Sequence, residues 1–272
     1  MSKVKERVDI LLVDRGLCES REKAKRSIMA GLVYSDTVRI DKPGEKLPID
    51  ANLEVKGKEC PYVGRGGYKL EKALSYFNIT VRDKIVADIG SSTGGFTDCA
   101  LQNGAAMSYA IDVGYNQLAW KLRNDPRVVV MERTNFRHAT IDMFNQGQPD
   151  FACIDVSFIS LRLILPALKD ILVANGQVVA LVKPQFEAGK ELVGNKGIVR
   201  DKKVHKLVLD DIIDFSLKTG FTVIDLTYSP ITGGDGNIEF LLYLKWLPTE
   251  KNVFDFSLID RTIEEAHNNL KG

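Results

Sequence analysis

The sequence predicts an α/β protein: a mostly parallel seven-stranded sheet covered by helices on both faces, preceded by a small α+β module. Three observations lead there. After Ile85, near-continuous apolar strands alternate with helical segments, as in sheets buried on both faces. The run IVADIGSSTGGFTDCAL, residues 85–101, supplies a strand, a glycine-rich turn and a helix start in one stretch. Residues 1 to about 60 follow a different pattern, basic and rich in turns, which suits a separate module.

Taken in order, the first module opens with VDILLVDRGL, a short helix ending at Gly16, and continues with SREKAKRSIMAGLV, a second helix capped by Ser20 and stopped at Gly31. A β segment punctuated by Pro43-Gly44 follows. On the second helix Ala24 and Ile28 face inward, while Arg21, Lys23, Lys25 and Arg26 form a basic face. On residues alone that face is open to two readings, a solvated surface or a nucleic-acid contact. Domain boundaries are expected at 1–60 and 64–272, with a linker at 61–63 stiffened by Pro61. Gly64, Gly66 and Gly67 mark an exposed loop before an amphipathic helix whose buried stripe is Leu70, Ala73, Leu74 and Phe77. Lys69, in the first turn of that helix, reads locally as a surface lysine.

The remaining strands are IVADI, MSYAIDV, RVVVMERTN, DFACIDVSF, GQVVALVKP, FTVIDLTYSP and IEFLLYLKW, with a long helix from about Asp201 to Lys218. The last two strands are joined by ITGGDGN without a helix and form an antiparallel hairpin at one edge. The whole is Rossmann-like, and chemistry in such sheets gathers at the carboxyl ends of the strands.

The glycine-rich turn raises the question of its ligand. Asp88 lies at the strand end, and Gly90, Ser92, Thr93, Gly94, Gly95 and Phe96 form the turn and helix start. The second glycine of a dinucleotide fingerprint is replaced by Ser92, which disfavours a pyrophosphate. S-adenosyl-L-methionine suits the turn better, and Asp112 at the end of the next strand is placed to bind ribose hydroxyls. Glu132, Thr134 and Asn135 are candidates for adenine or ribose contacts. Asp155 and Lys183 end strands and Glu239 is the matching acid on the last strand, so that these three and Lys69 could converge on the cofactor's mouth. Ordinary rim ion pairs are the competing interpretation. The glycine- and lysine-rich EAGKELVGNKGIVRDKK is a candidate substrate flap.

Composition excludes several classes. At 272 residues and 44% apolar, the chain can bury one large domain and a small one, and a net charge of +1 gives no bulk electrostatic signature. Cys18, Cys60, Cys99 and Cys153 lack metal-ligand spacing and the three histidines are scattered, so reduced thiols, no metal and a cytoplasmic location are expected. Val8–Val13 is too short, and broken by Asp9, to be a secretory segment. The apolar stretch from Leu161 contains Arg162, Pro166, Lys169 and Asp170, so no membrane span or membrane partner is expected.

Two resemblances sharpen this reading. The pattern D-x-L-L followed by GL-x-x-SR-x-x-A-x-x-x-I-x-x-G-x-V, residues 9–33, resembles the S-four-type RNA-binding fold. That resemblance implies phosphate contacts from Arg7, Arg21, Lys25 and Arg26, with Arg65 a further candidate. Over nearly its whole length the chain resembles the TlyA-type ribosomal RNA ribose methyltransferases, often labelled haemolysins, whose catalytic half is similar to FtsJ-type RNA 2′-O-methyltransferases. GRGGYKL, DIGSSTGGF, AIDVGYNQL, CIDVSFISL, LVKPQFE and GGDGNIEF carry the match. The family's Lys-Asp-Lys-Glu tetrad falls on Lys69, Asp155, Lys183 and Glu239, with Lys183 implied as the base that takes the ribose proton. The resemblance implies S-adenosyl-L-methionine as methyl donor, and ribosomal RNA or ribosomal subunits as partner, modified at cytidine. Ser91 departs from the usual GASTGGF turn, and the linker is less typical. The rival readings are a haemolytic protein and a noncatalytic ribosome-assembly factor. A pseudouridine synthase lacks its G-R-L-D signature here. Base-nitrogen methylation would call for N/D-P-P-Y where Asp155-Val156-Ser157-Phe158 stands.

Overall fold

A computed structural model describes residues 4–56, 60–246 and 254–270. The chain divides into two compact units, Met1–Arg65 and Gly66–Gly272. The division lies a few residues beyond the expected linker, since Tyr62 and Val63 are buried rather than strung out in solvent.

In the first unit β1 (Lys5–Arg7) leads into α1 (Val8–Asp14) and α2 (Arg21–Met29), followed by β2 (Val33–Ser35), β3 (Val38–Arg39), β4 (Lys46–Pro48) and β5 (Leu53–Val55). The strands form a β1–β4 pair and a β3–β2–β5 sheet. As expected, Ser20 caps α2 by accepting from the Lys23 N–H, and Gly31 ends the turn with φ +71°. Ala24 and Ile28 pack with Val8, Leu11, Leu12 and Ile40 into a small core.

The second unit runs α3 (Gly66–Tyr76), β6 (Ile85–Ile89), α4 (Gly95–Gln102), β7 (Met107–Ile111), α5 (Trp120–Arg123), β8 (Val128–Met131), β9 (Phe151–Ile154), α6 (Leu165–Ile171), β10 (Gln177–Val182), α7 (Pro184–Glu187), α8 (Lys202–Thr219), β11 (Phe221–Tyr228), β12 (Phe240–Trp246) and α9 (Ser257–Asn269). The sheet order is β11-β12-β10-β9-β6-β7-β8. Only β12 runs against its neighbours, pairing antiparallel with both β10 and β11. The chain builds outward from β6 through β7 to β8, then returns to lay β9 on the other side of β6. This reversal opens a crevice at the carboxyl ends of β6 and β9, where ligands bind in such sheets.

One expectation is corrected here. Gly66 and Gly67 are not in an exposed loop but open α3, and Gly64 and Gly67 are buried. Without a side chain at Gly66 the helix start comes close to the Phe96 ring. No helix among the described residues is long and apolar enough to cross a membrane, and all four cysteines are thiols.

A histidine pair, buried His205 and half-buried His267, ties α8 to α9. His205 donates from Nε2 to the Val199 carbonyl at 3.1 Å, so its Nδ1 accepts from His267 Nε2 at 3.0 Å. Burial pushes His205 down to about 4, and His267 is lowered for the same reason. In the unfolded chain these rings protonate near pH 6.5, whereas folded His205 stays neutral to about pH 4. The unfolded state therefore binds more protons in that window. Stability should fall as pH drops from about 6.5 to 4, by at most about 1.4 kcal/mol per pH unit for His205. Melting curves of wild type and His205→Gln test this: the variant should have the shallower acid dependence, and parallel curves would refute the assignment.

Candidate active site

The turn after β6 is shaped by three close approaches. Gly90 has φ +86°, and a side-chain carbon there would lie 2.4 Å from the Asp155 carbonyl oxygen, so the strand ends of β6 and β9 touch through this glycine. Gly94, at φ +95°, faces inward, its space filled by Leu118 and Leu122. Asp88 is fully buried, and its Oδ2 accepts from both the Thr97 N–H at 2.9 Å and the Thr97 hydroxyl at 2.7 Å. Burial pushes its carboxyl up to about 7.

Beyond the turn lies a cavity of about 330 Å³, within the size range of small-molecule sites. Of the candidate cofactor residues, Gly90, Ser92, Asp112 and Asn135 contribute to its wall, together with Thr134. Ile89, Ile111, Val113, Phe136 and Ile159 give it apolar faces. Asp112 is held on both oxygens: Ser92 N–H donates to Oδ2 and Gly114 N–H to Oδ1, each at 2.7 Å. These bonds fix the carboxylate at the cavity edge and leave it lone pairs for a ligand's hydroxyls.

At one end of the cavity four charged side chains meet. Lys69 Nζ lies 3.2 Å from Asp155 Oδ2 and 2.8 Å from Glu239 Oε2, and Lys183 Nζ lies 2.5 Å from Asp155 Oδ1. Lys183 also donates to the Ser157 hydroxyl at 3.1 Å. Lys69, Lys183 and Glu239 are each 7% exposed or less, so these are buried ions and not rim pairs. Burial works against the Lys69 ammonium, but the carboxylates of Asp155 and Glu239 outweigh it and hold Lys69 above its ordinary range. Burial likewise opposes the Asp155 carboxylate, and Lys69 and Lys183 more than compensate, holding it well below the usual carboxylate range. Strand geometry explains the meeting. In the antiparallel β10–β12 ladder Val182 pairs with Phe240, so the next positions outward are Lys183 and Glu239.

The FtsJ-like methyltransferase profile matches residues 62–246 and the S4 domain profile matches 6–52. The 16S/23S rRNA (cytidine-2′-O)-methyltransferase TlyA of Mycobacterium tuberculosis is 43% identical over 96% of this chain and 95% of its own length. The chain belongs to the TlyA-type branch of the FtsJ-like methyltransferases. YqxC of Bacillus subtilis, provisionally named an rRNA methyltransferase, is 63% identical over 100% of this chain and 97% of its own. A solved structure from Streptococcus thermophilus, provisionally named a hemolysin, superposes with TM-score 0.80 at 55% identity, covering 98% of each chain.

Within this methyltransferase unit several of the candidate residues lie off the cavity wall. Asp88 faces the start of α4 and clamps it from inside; it does not line the cavity. Thr93, Gly94, Gly95 and Phe96 stand behind the turn, building the helix start. Glu132 is turned away from the cavity onto Arg123 and the Gln117 N–H. Lys69, read locally as a surface residue, is buried. Sequence reasoning missed Ser157, Phe158 and Gln185, although each neighbours a tetrad member. Phe158 has φ +63°, rare for a bulky residue, and is 90% exposed, its ring 4.9 Å from that of Phe186. Gln185 Nε2 donates to Glu239 Oε1 at 3.4 Å.

In the S4 unit, Asp9 is fully buried and receives Arg7 Nε at 2.9 Å and Arg21 Nη2 at 3.0 Å. The bond from Arg7 is the main reason its carboxyl is held down to about 2. Arg26 is exposed, Lys25 pairs loosely with Glu22 at 3.3 Å, and Arg65 reaches back towards the turn at Gly31.

Removing Lys69 should expose the cost of this burial. Lys69→Met leaves Glu239 and one oxygen of Asp155 without their cation and should cost roughly 3–5 kcal/mol. The double variant Lys69→Met/Glu239→Gln should recover part of that loss. Urea unfolding of the four proteins in the cycle measures it, and strictly additive losses would contradict the coupling.

Proposed function

We propose that this protein transfers the methyl group of S-adenosyl-L-methionine to the ribose 2′-oxygen of a cytidine in ribosomal RNA. The single observation that carries the reading is the buried Lys69–Asp155–Lys183–Glu239 network at the end of the cavity. Cytidine and ribosomal RNA are taken from the TlyA relative, whose name states them. The substrate is free RNA or an assembled subunit in the cytoplasm.

The residues present fit the cofactor: apolar walls suit an adenine, the fixed Asp112 carboxylate suits ribose hydroxyls, and Gly90 and Ser92 lie against the cavity. When bound, S-adenosyl-L-methionine supplies an electrophilic methyl on sulfur. The chain then has two tasks: to position the 2′-hydroxyl and to take its proton. Lys183 is placed for the second. Its ammonium donates to Asp155 and Ser157; once it has given up one proton, two N–H bonds remain for those partners and the lone pair accepts the hydroxyl proton. Lys69 sets the position of Asp155 from the other side and thereby the position of Lys183. Phe158, exposed at the cavity lip, offers a face on which a nucleobase can stack.

Methyl transfer to ribosomal RNA and subunits, followed by nucleoside mass spectrometry, tests the reading. Wild type should yield 2′-O-methylcytidine, and Lys183→Ala should reduce the rate about 10²–10⁴-fold. Absence of product with every ribosomal substrate, despite bound cofactor, would favour the noncatalytic assembly factor.

The basic face of the S4 unit should supply affinity without sequence selectivity. Arg21→Ala and Arg26→Ala should each weaken RNA binding and make the slope of log K against log salt shallower by about one phosphate contact. An unchanged salt slope would exclude these arginines from the phosphate contacts.

A further inference from the structure

We propose that Asn237 is a positioning residue for methyl transfer: it ties the end of the segment 189–200 to the loop behind Glu239, and so fixes the carboxylate that holds Lys69. The inference rests on the methyltransferase reading above.

Asn237 is 4% exposed, and its amide is spent on main chain. Nδ2 donates to the Gly197 carbonyl at 3.0 Å and the Gly234 carbonyl at 3.2 Å, and Oδ1 accepts from the Val199 N–H at 3.0 Å. Its own carbonyl accepts from Gly233 N–H at 2.8 Å, closing residues 233–237 into a tight loop. Gly233 is pressed against the catalytic carboxylate: a side-chain carbon there would lie 2.2 Å from Glu239 Oε1. Glu239 is further held by Gln185 at Oε1 and by Ser229, whose N–H donates to its carbonyl at 2.8 Å. On the far side, the Val199 carbonyl accepts from His205. The segment expected to act as a flap is thus anchored at this end, from two directions.

The consequence reaches the reacting groups through a chain of contacts. Glu239 holds Lys69, Lys69 holds Asp155, and Asp155 holds Lys183. Loosening the loop lets Glu239 move, and reaction rates are steeply sensitive to misplacement of this kind, on the order of 10²-fold for 1 Å. Asn237 borders neither the cavity wall nor the tetrad's ion pairs, so cofactor and RNA affinity should be spared.

The test compares wild type, Asn237→Ala and Gly233→Ala, each as the full chain. Steady-state methyl transfer to ribosomal RNA should show kcat reduced by between about 10-fold and 10²-fold in both variants. KM for RNA and the dissociation constant for S-adenosyl-L-methionine should be unchanged. Gly233→Ala keeps every bond of the Asn237 amide and displaces only the Glu239 carboxylate, so it separates misplacement from unfolding. Hydrogen exchange supplies a readout independent of activity: the Val199 and Ser229 amides should exchange faster in Asn237→Ala. Wild-type kcat in both variants, or unchanged exchange at both amides, would overturn the inference. A wild type inactive on every ribosomal substrate would instead refute the methyltransferase reading, and the exchange data would still decide whether the clamp exists.

Discussion

The structure of the methyltransferase unit turns on one buried cation. Taking an ammonium out of water costs several kcal/mol, and Lys69 is kept charged only because two carboxylates from distant parts of the chain converge on it. That requirement fixes the neighbourhood. Asp155 must stand at the end of β9, Glu239 at the start of β12, and α3 must lie close enough to deliver a lysine from its first turn. Lys183 then inherits its place, because among the described residues it is the cation on the second oxygen of Asp155. An isolated ion pair of this kind contributes little net stability. Its value here is geometric, since it converts four side chains into one rigid unit beside a cavity.

Much of this was legible in the sequence, for identifiable reasons. Buried parallel strands are almost uniformly apolar, so a charged residue at the end of one stands out; Asp155 and Lys183 do so within CIDV and ALVK. The glycine turn announces itself because only glycine tolerates the approach seen at Gly90. Lys69 carried no local signal. Its partners are 86 and 170 residues away, and on its own helix it looks like any snorkelling lysine. Asp88 shows that an acid beside a glycine turn can also serve the fold: one of its oxygens is spent on Thr97. Asn237 and Gly233 were invisible for another reason, since bonds between an amide and loop main chain follow no period.

The two units handle charge differently. In the S4 unit one buried carboxylate, Asp9, holds two partly exposed arginines, Arg7 and Arg21, and so restricts their rotamers. In the Lys69–Asp155–Lys183–Glu239 network of the methyltransferase unit the charges satisfy one another and little is offered to solvent.

The reversed direction of β12 sets Glu239 apart from the other three. Three members of the network arrive from helix α3 and from the carboxyl ends of the parallel strands β9 and β10, and the loop after β9 also builds the cavity wall. Glu239 arrives from the opposite sense, at the beginning of its strand, and is served by a loop that precedes it and takes no part in that wall. A change in the hairpin ahead of β12 therefore reaches the network through Glu239 alone, while the cofactor side of the crevice stays untouched.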